Sequence, residues 1–176
     1  LGRPPPASLI DSGTTHAFHG IGLVAATADG QAWVLNGWLV ANLAGTGLMV
    51  GFIWTIQLLT YPMMKAVPAD GFVAYELMHR NRVTALLAVL APTEIIAAAG
   101  VAAFVDDVPG WLSIGAGALL FAIWLSTLLF YAPLHMRLST GFDPVAHRRL
   151  VRTNWIRTAA WTVRGAAAIA MIAVAS

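Results

Sequence analysis

The sequence predicts an all-α integral membrane protein with four transmembrane helices. Hydrophobic residues make up 59% of the chain and charged residues only 10%, whereas soluble domains carry about 25% charged residues. Four apolar runs each approach the ~20 residues that cross a hydrocarbon core. Tryptophans stand at the ends of these runs, as they do in interfacial aromatic belts. A surface with so few charges must face lipid or other protein.

The four apolar runs predict the bounds of the spans. They cover residues 33–60, 83–105, 111–134 and 156–174. Residues 1–32 are polar and show no helical period, so we predict an extramembrane N-terminal arm with a short strand at Ile21–Ala26. The four-helix domain is then 33–176. The first residues lack an apolar stretch of the kind a signal peptide requires, and none is expected.

Basic residues in the loops predict the orientation. The first and third loops carry Lys65, Arg80, Arg82, Arg137, Arg148, Arg149 and Arg152. The second loop is short and acidic, with Asp106 and Asp107. Since Lys and Arg in short loops favour the cytoplasmic side, loops 61–82 and 135–155 are predicted to be cytoplasmic, with both termini opposite. We expect a multi-pass protein of the bacterial inner membrane.

The second half of the chain repeats part of the first. One set of residues recurs there with the same spacing, so that Ile53, Trp54, Leu58, Leu59, Tyr61, Gly71 and Phe72 fall on Ile123, Trp124, Leu128, Leu129, Tyr131, Gly141 and Phe142. The predicted unit is a helix, a loop and a helix, present at about 33–105 and again at 111–176. Two such hairpins in the same orientation indicate a pseudo-twofold axis along the membrane normal.

Two charges fall inside predicted spans, namely Glu94 and Arg164. A charge at a helix centre is unfavourable by roughly 2.5–3.5 kcal/mol on insertion scales, so each needs a partner. In the repeat, Asn81 corresponds to Asn154. Glu94 follows Asn81, and Arg164 follows Asn154, but the second separation is three residues shorter than the first. This difference is about one helical turn, which predicts a buried ion pair. The pair either locks two helices together or forms a polar site for a proton, a quinone headgroup or a lipid.

A second group of polar residues is a candidate metal site. Glu76 and His79 have the spacing that places both side chains on one face of a helix, and His135 ends the third run on the same side. Di-iron bundles use two such Glu-x-x-His motifs, and the second half of this chain has none. Two interpretations therefore remain. Glu76, His79 and His135 form a mononuclear metal site, or they make hydrogen bonds at the membrane interface. His16 and His19 form a weaker candidate in the arm.

No cofactor is evident from motifs. The chain has no cysteine, which excludes disulfides, thiolate metal sites and cysteine nucleophiles. Phosphate loops, nucleophile elbows and zinc-protease helices are also missing from the sequence. The net charge of +2 lies in short loops and lacks interleaved aromatic residues, so nucleic-acid binding is not expected.

Two sets of residues predict contacts with lipid or with other proteins. Basic residues near the membrane surface suit anionic headgroups or an acidic partner: Arg148, Arg149, Arg152 and Arg157. Small residues mark helix contacts, because they allow close approach of two backbones in lipid: Gly45, Gly47, Gly51, Gly165 and Ala168. Four helices cannot use every small stripe internally, so at least one is expected to face outward.

The sequence also resembles a known group of proteins. The relevant residues are Tyr61-Pro62, Tyr131-Ala132-Pro133-Leu134-His135 and Asn154-Trp155-Ile156-Arg157-Thr158. Over roughly residues 45–170 the chain resembles an uncharacterised family of small bacterial four-helix membrane proteins. This resemblance implies a fold and a location, and it carries no activity. A fainter likeness, in helix number and polar placement, is to anthrone-oxygenase-like membrane proteins.

Three functions follow as hypotheses from these features. The first is an accessory transmembrane subunit of a larger energy-converting complex, with membrane lipids and other transmembrane subunits as partners. The second is a small membrane-bound oxidoreductase or metal-dependent enzyme. The third is a carrier of a small molecule or lipid between the two repeats. We favour the subunit, since no cofactor motif is present and two hairpins leave little interior for catalysis.

Overall fold

A computed structural model describes residues 37–175 of the chain. The predicted N-terminal arm 1–32, its strand at Ile21–Ala26, its histidines His16 and His19, and the predicted start of the first span at Trp33 lie outside the described residues.

Four helices make up this part of the chain, and each is long and apolar enough to cross a membrane. They are α1 Gly37–Met64, α2 Ala69–Phe104, α3 Gly110–Leu138 and α4 Pro144–Ala175. The all-α prediction is confirmed, and the four helices are long and apolar enough to be the predicted spans. We call the end that carries the turns 65–68 and 139–143 the basic end, and the end with the turn 105–109 the acidic end. The repeat, the side of the membrane and the membrane itself stay predictions.

At the basic end the helices continue beyond their predicted bounds. Helix α2 begins at Ala69 and not near Val83, and α4 begins at Pro144 and not near Ile156. The segments predicted as loops 61–82 and 135–155 are thus mostly helical. Their inner faces carry Phe72 and Leu150, both fully buried. A hydropathy profile detects only the apolar segment that crosses the hydrocarbon core. It does not detect the amphipathic turns by which a helix continues beyond that core.

Both α1 and α3 contain a π-helical segment immediately before a proline. The segments are Ile56–Thr60 and Thr127–Tyr131. In each case the residue before the proline donates its backbone N–H to a carbonyl five residues back, Tyr61 to Ile56 and Ala132 to Thr127. Proline has no N–H to donate and its ring collides with the carbonyl four residues back. The wider turn accommodates both effects, and such π segments often occur at functional sites.

The outward surface of the bundle is apolar. Leu48, Val89, Ile114, Phe121 and Ile156 each expose more than 60% of their surface. Contiguous apolar surface of this extent is unfavourable in water. Lipid removes that penalty, so the exterior suits a bilayer.

An apolar layer fills the middle of the bundle. Met49, Ile53, Leu120, Ile123 and Trp161 form one buried cluster drawn from α1, α3 and α4. Polar groups collect on either side of this layer, toward the basic end and toward the acidic end. The interior therefore has two separate polar centres with a mainly apolar layer between them.

The turn before α4 is fixed by its own residues. Asp143 accepts hydrogen bonds from the backbone N–H groups of Ala146 and Val145, and it pairs with Arg137 at 2.5 Å. These contacts, led by the Ala146 bond, hold the pKa of Asp143 below its usual value. Gly141 has φ +148, which a residue with a side chain rarely adopts. This turn orients the basic half of α4 toward α1 and α3.

Candidate functional site

A cavity of about 190 Å³ lies between the helices toward the basic end. Its apolar wall includes Phe52, Ile53 and Leu87, and its polar wall includes Tyr61, His79, Tyr131, His135 and Arg157. Residues of both π segments line it, Ile56 from α1 and Thr127 from α3. The two proline-induced distortions thus shape the walls of one cavity. A small number of polar groups converging on an apolar cavity is the usual form of a small-molecule site.

Three side chains from three helices form a hydrogen-bonded chain at this cavity. Glu76 Oε1 lies 2.6 Å from His135 Nδ1, and His135 Nε2 lies 2.9 Å from the Tyr61 hydroxyl. Glu76 is fully buried and Tyr61 is nearly so. With Glu76 ionised, His135 donates from Nδ1 and accepts the Tyr61 proton at Nε2. A carboxylate that fixes the tautomer of a histidine, which in turn activates a hydroxyl, is the general arrangement for acid–base chemistry.

The structure brings Glu76 and His135 together but gives the predicted metal site no support. His79 lies beside them, with its ring centroid 5.6 Å from that of His135 and stacked on Tyr75. Within residues 37–175 no group of three or more His, Asp and Glu side chains has an arrangement that could hold a metal ion. Glu76 and His135 bond directly to each other. The metal site stays a prediction.

Arg157 is buried at the edge of this cavity, unlike the three other arginines with which it was grouped. Its side chain is 6% exposed, and its guanidinium lies 4.5 Å from the Tyr131 ring centroid. Nη1 donates to Asn154 at 3.3 Å, and the Tyr61 hydroxyl is also close enough to interact. Nε has no hydrogen-bond partner among residues 37–175.

The charge of Arg157 has no anionic partner in the described part of the chain. The ion pairs there join His135 to Glu76, Arg137 to Asp143 and Arg164 to Glu94. Removing an ion from water is unfavourable by several kcal/mol even after relaxation. The cation–π contact with Tyr131 offsets roughly 2 kcal/mol of this when desolvated. The site is therefore electropositive at Arg157.

Further hydrogen bonds fix α1 against α4 around the cavity. Asn154 donates to Gln57 Oε1 at 2.8 Å, and Gln57 donates to the Val151 carbonyl at 3.3 Å. His147 Nε2 donates to the Tyr61 carbonyl at 2.7 Å, which satisfies a backbone acceptor near the end of α1. Asn154 and Gln57 are both buried. They hold the backbone that carries Tyr61 and Arg157.

Glu94 and Arg164 lie together in the second polar centre, toward the acidic end. Arg164 Nε is 3.4 Å from Glu94 Oε1, and both side chains are buried. Arg164 also donates to the Asn42 side chain and to the Ala116 carbonyl, each at 3.1 Å. Thr46 donates to Glu94 Oε1 at 2.7 Å. One arginine thereby connects all four helices.

The remaining predicted site residues divide by exposure. Arg148, Arg149 and Arg152 are exposed at the basic end, where headgroup contact is open to them. Among the small residues, Gly45 lies against Glu94, Gly165 lies against Val50, and Ala168 is buried. Gly47 and Gly51 are exposed, with no other atoms near the position of a Cβ.

Sequence reasoning missed two residues that matter for the packing and the site. It named Tyr61 only in the repeat and in the resemblance, although its hydroxyl turns inward to His135. The recurrence of Tyr-Pro and Tyr-Ala-Pro before the predicted loops was the available signal. It also passed over Gly100, where a Cβ would overlap the ring of Trp38. No sequence pattern pointed to that contact.

Residues 37–175 thus form an all-helical protein with four potential membrane spans and two buried polar centres. Comparisons with protein-family models, with curated proteins and with solved structures found no match.

Proposed function

We propose that the protein binds a small, mostly apolar molecule with a hydroxyl group in the basic-end cavity and accepts a proton from it. The observation that carries this proposal is a hydrogen-bonded chain in which Tyr61 and His135 line that cavity and Glu76 bonds to His135. Its position among apolar spans suits a ligand that partitions into a membrane.

The direction of proton movement follows from the chemistry of the three groups. The ligand hydroxyl gives its proton to the Tyr61 oxygen while the Tyr61 proton passes to His135 Nε2. His135 becomes an imidazolium, which the buried carboxylate of Glu76 stabilises through Nδ1. The ligand oxygen becomes an anion, and the guanidinium of Arg157 at the cavity edge stabilises it. The proton ends on His135 and the negative charge on the ligand oxygen, so proton and charge balance.

The apolar wall supports a lipophilic ligand over water or an inorganic ion. Phe52, Ile53, Leu87 and Val83 contribute hydrophobic surface from α1 and α2. The apolar layer centred on Trp161 separates the cavity from the Glu94 centre. This arrangement favours a closed-ended binding site over a continuous path through the bundle.

Binding of 1-naphthol to the purified protein in nonionic detergent tests the proposal. Equilibrium dialysis should show one saturable site at pH 7. Val83→Phe places a ring in the cavity and should weaken binding at least tenfold. Tyr61→Phe removes one hydrogen bond, worth about 0.5–1.5 kcal/mol, and should weaken binding by a factor of about 2–13.

Leu86→Phe is the matched control, because it adds a ring on the same helix where 43% of the leucine is exposed. It should bind 1-naphthol as the unmodified protein does. Equal binding by the Val83→Phe and Leu86→Phe proteins would show that the probe occupies detergent or the outer surface, and would refute the proposal.

A second candidate function is the accessory transmembrane subunit of an energy-converting complex. It is favoured by the outward face of α1, where Ala44, Gly47 and Gly51 are all exposed. Gly47 and Gly51 are four residues apart, the spacing at which two helices approach closely in lipid. The helices of residues 37–175 leave this stripe uncovered, as a partner helix would require.

Co-purification from native membranes distinguishes the subunit from a free-standing protein. Gly47→Leu fills the outward stripe and should release any partner helix while leaving the bundle inserted. Gly47→Ala is the control, since it adds one methyl group in open space. Identical co-purified proteins with both variants would contradict the subunit hypothesis.

A further inference from the structure

A second, larger concavity runs between α3 and α4 on the outside of the bundle. It encloses about 720 Å³, within the range of roughly 300–1,000 Å³ typical of ligand sites. Leu119, Ile123, Phe130, Ile156 and Ala160 contribute its apolar wall. We call it the α3–α4 groove. This apolar wall is long, and it therefore suits an alkyl chain.

The groove and the basic-end cavity share Tyr131 and Arg157 at the level of the polar groups. Arg157 is therefore the buried cation that borders both spaces. It forms no ion pair within the described part of the chain, and its Nε is unpartnered and buried. Arg137 and Arg149 also line the groove, but both are exposed to solvent or headgroups, and Arg137 pairs with Asp143. An unmatched buried guanidinium between an apolar groove and a proton acceptor requires an anion.

We infer that the ligand is a long-chain carboxylic acid, with its alkyl chain in the α3–α4 groove and its carboxyl group at Arg157. This inference rests on the proposed function, and it names the class of molecule that the site receives. One buried cation matches one negative charge. A carboxylate fits the planar edge of a guanidinium through two parallel hydrogen bonds.

The chemistry of the cavity then applies to the carboxyl group. The neutral acid enters from the lipid, where the charged form is unfavourable. Its O–H proton passes to the Tyr61 oxygen and the Tyr61 proton to His135 Nε2. The product is a carboxylate at Arg157 and an imidazolium at His135. Arg157 thereby obtains the anionic partner that it lacks among the described residues.

Binding of hexadecanoate and of 1-hexadecanol to the full-length protein in nonionic detergent tests the inference. The two probes have the same alkyl chain and differ only in the head group, a carboxylate or a hydroxyl. Hexadecanoate should bind at one site per chain and at least tenfold more tightly than 1-hexadecanol. Equal affinity for both would overturn the assignment of the carboxyl group to Arg157, and this comparison requires no mutation.

Two pairs of variants locate the head and the chain. Arg157→Gln should remove the preference for hexadecanoate over 1-hexadecanol, and Arg157→Lys should restore part of it. Ala122→Trp fills the groove and should weaken hexadecanoate binding at least tenfold. Ala118→Trp, an exposed position one turn away on α3 and outside the groove lining, should leave it unchanged. Equal effects of the two tryptophans would overturn the groove assignment.

Failure of this inference differs from failure of the proposed function. If 1-naphthol binds and Val83→Phe weakens that binding at least tenfold, while hexadecanoate does not bind, the cavity assignment holds and the long-chain acid is wrong. If neither probe binds, the proposed function is wrong as well. Binding of hexadecyl phosphate in preference to hexadecanoate would also overturn the inference, since it would indicate a phosphate headgroup.

Discussion

Glu94→Gln should lower the free energy of unfolding by about 3–5 kcal/mol, because it leaves Arg164 buried without its anion. Glutamine still accepts the hydrogen bond from Thr46, so the change isolates the loss of charge. Arg164 keeps only neutral acceptors, the Asn42 side chain and the Ala116 carbonyl. Unfolding of the protein by a denaturing detergent, followed by circular dichroism, measures the difference.

A control and a double variant test whether the loss of stability comes from the unpaired charge of Arg164. Thr93→Ser changes the neighbouring, exposed residue of α2 and should alter the stability by less than about 0.5 kcal/mol. Glu94→Leu combined with Arg164→Leu should restore part of the stability lost in Glu94→Gln. The recovery is incomplete because Asn42 and Thr46 would lose their partners. A Glu94→Gln protein as stable as Thr93→Ser would contradict this account.

The sequence was sufficient to predict the four helices, because each span has to be apolar over its whole length. The hydropathy of a segment depends only on its amino-acid composition, so it can be calculated without knowing how the helices pack. The same measure failed at the helix ends on the basic side. Phe72 and Leu150 bury one face of a polar helix there, and their burial depends on tertiary contacts that composition does not contain.

The candidate site was predictable only in its parts. Spacing placed Glu76 and His79 on one helical face, and topology placed His135 at the same end. The structure selects Glu76 and His135 as direct partners and adds Tyr61, whose inward hydroxyl depends on packing around the π segment before Pro62. Which of these side chains bond to each other can be decided only from distances in the folded structure.

Arg157 illustrates the limit of counting charges. In the sequence it stands with Arg148, Arg149 and Arg152 at the edge of a span, where all four suit a lipid headgroup. In the structure it is 6% exposed and the others are exposed. Helical phase decides this difference. Asn154, Arg157 and Trp161 lie three or four residues apart on the buried face of α4.

Trp161→Ala should destabilise the protein by about 3–5 kcal/mol, since it removes the largest side chain of the central apolar layer. Trp161 is fully buried against Met49, Ile53, Leu120 and Ile123. The same unfolding measurement applies. Trp155→Ala is the matched control, because this tryptophan on the same helix is 46% exposed and should give a much smaller loss.

The layer around Trp161 also predicts that the two polar centres are energetically independent. Glu76 and Glu94 both belong to α2, and the rise of an α-helix puts them about 27 Å apart along its axis. Losses of stability in Glu76→Gln and Glu94→Gln should therefore add within about 0.5 kcal/mol in the double variant.

In the Trp161→Ala protein, 1-naphthol binding should be weakened far less than in Val83→Phe, because Trp161 does not line the cavity. A strongly non-additive double variant, or loss of binding in Trp161→Ala at a temperature where it remains folded, would show that the layer connects the two centres.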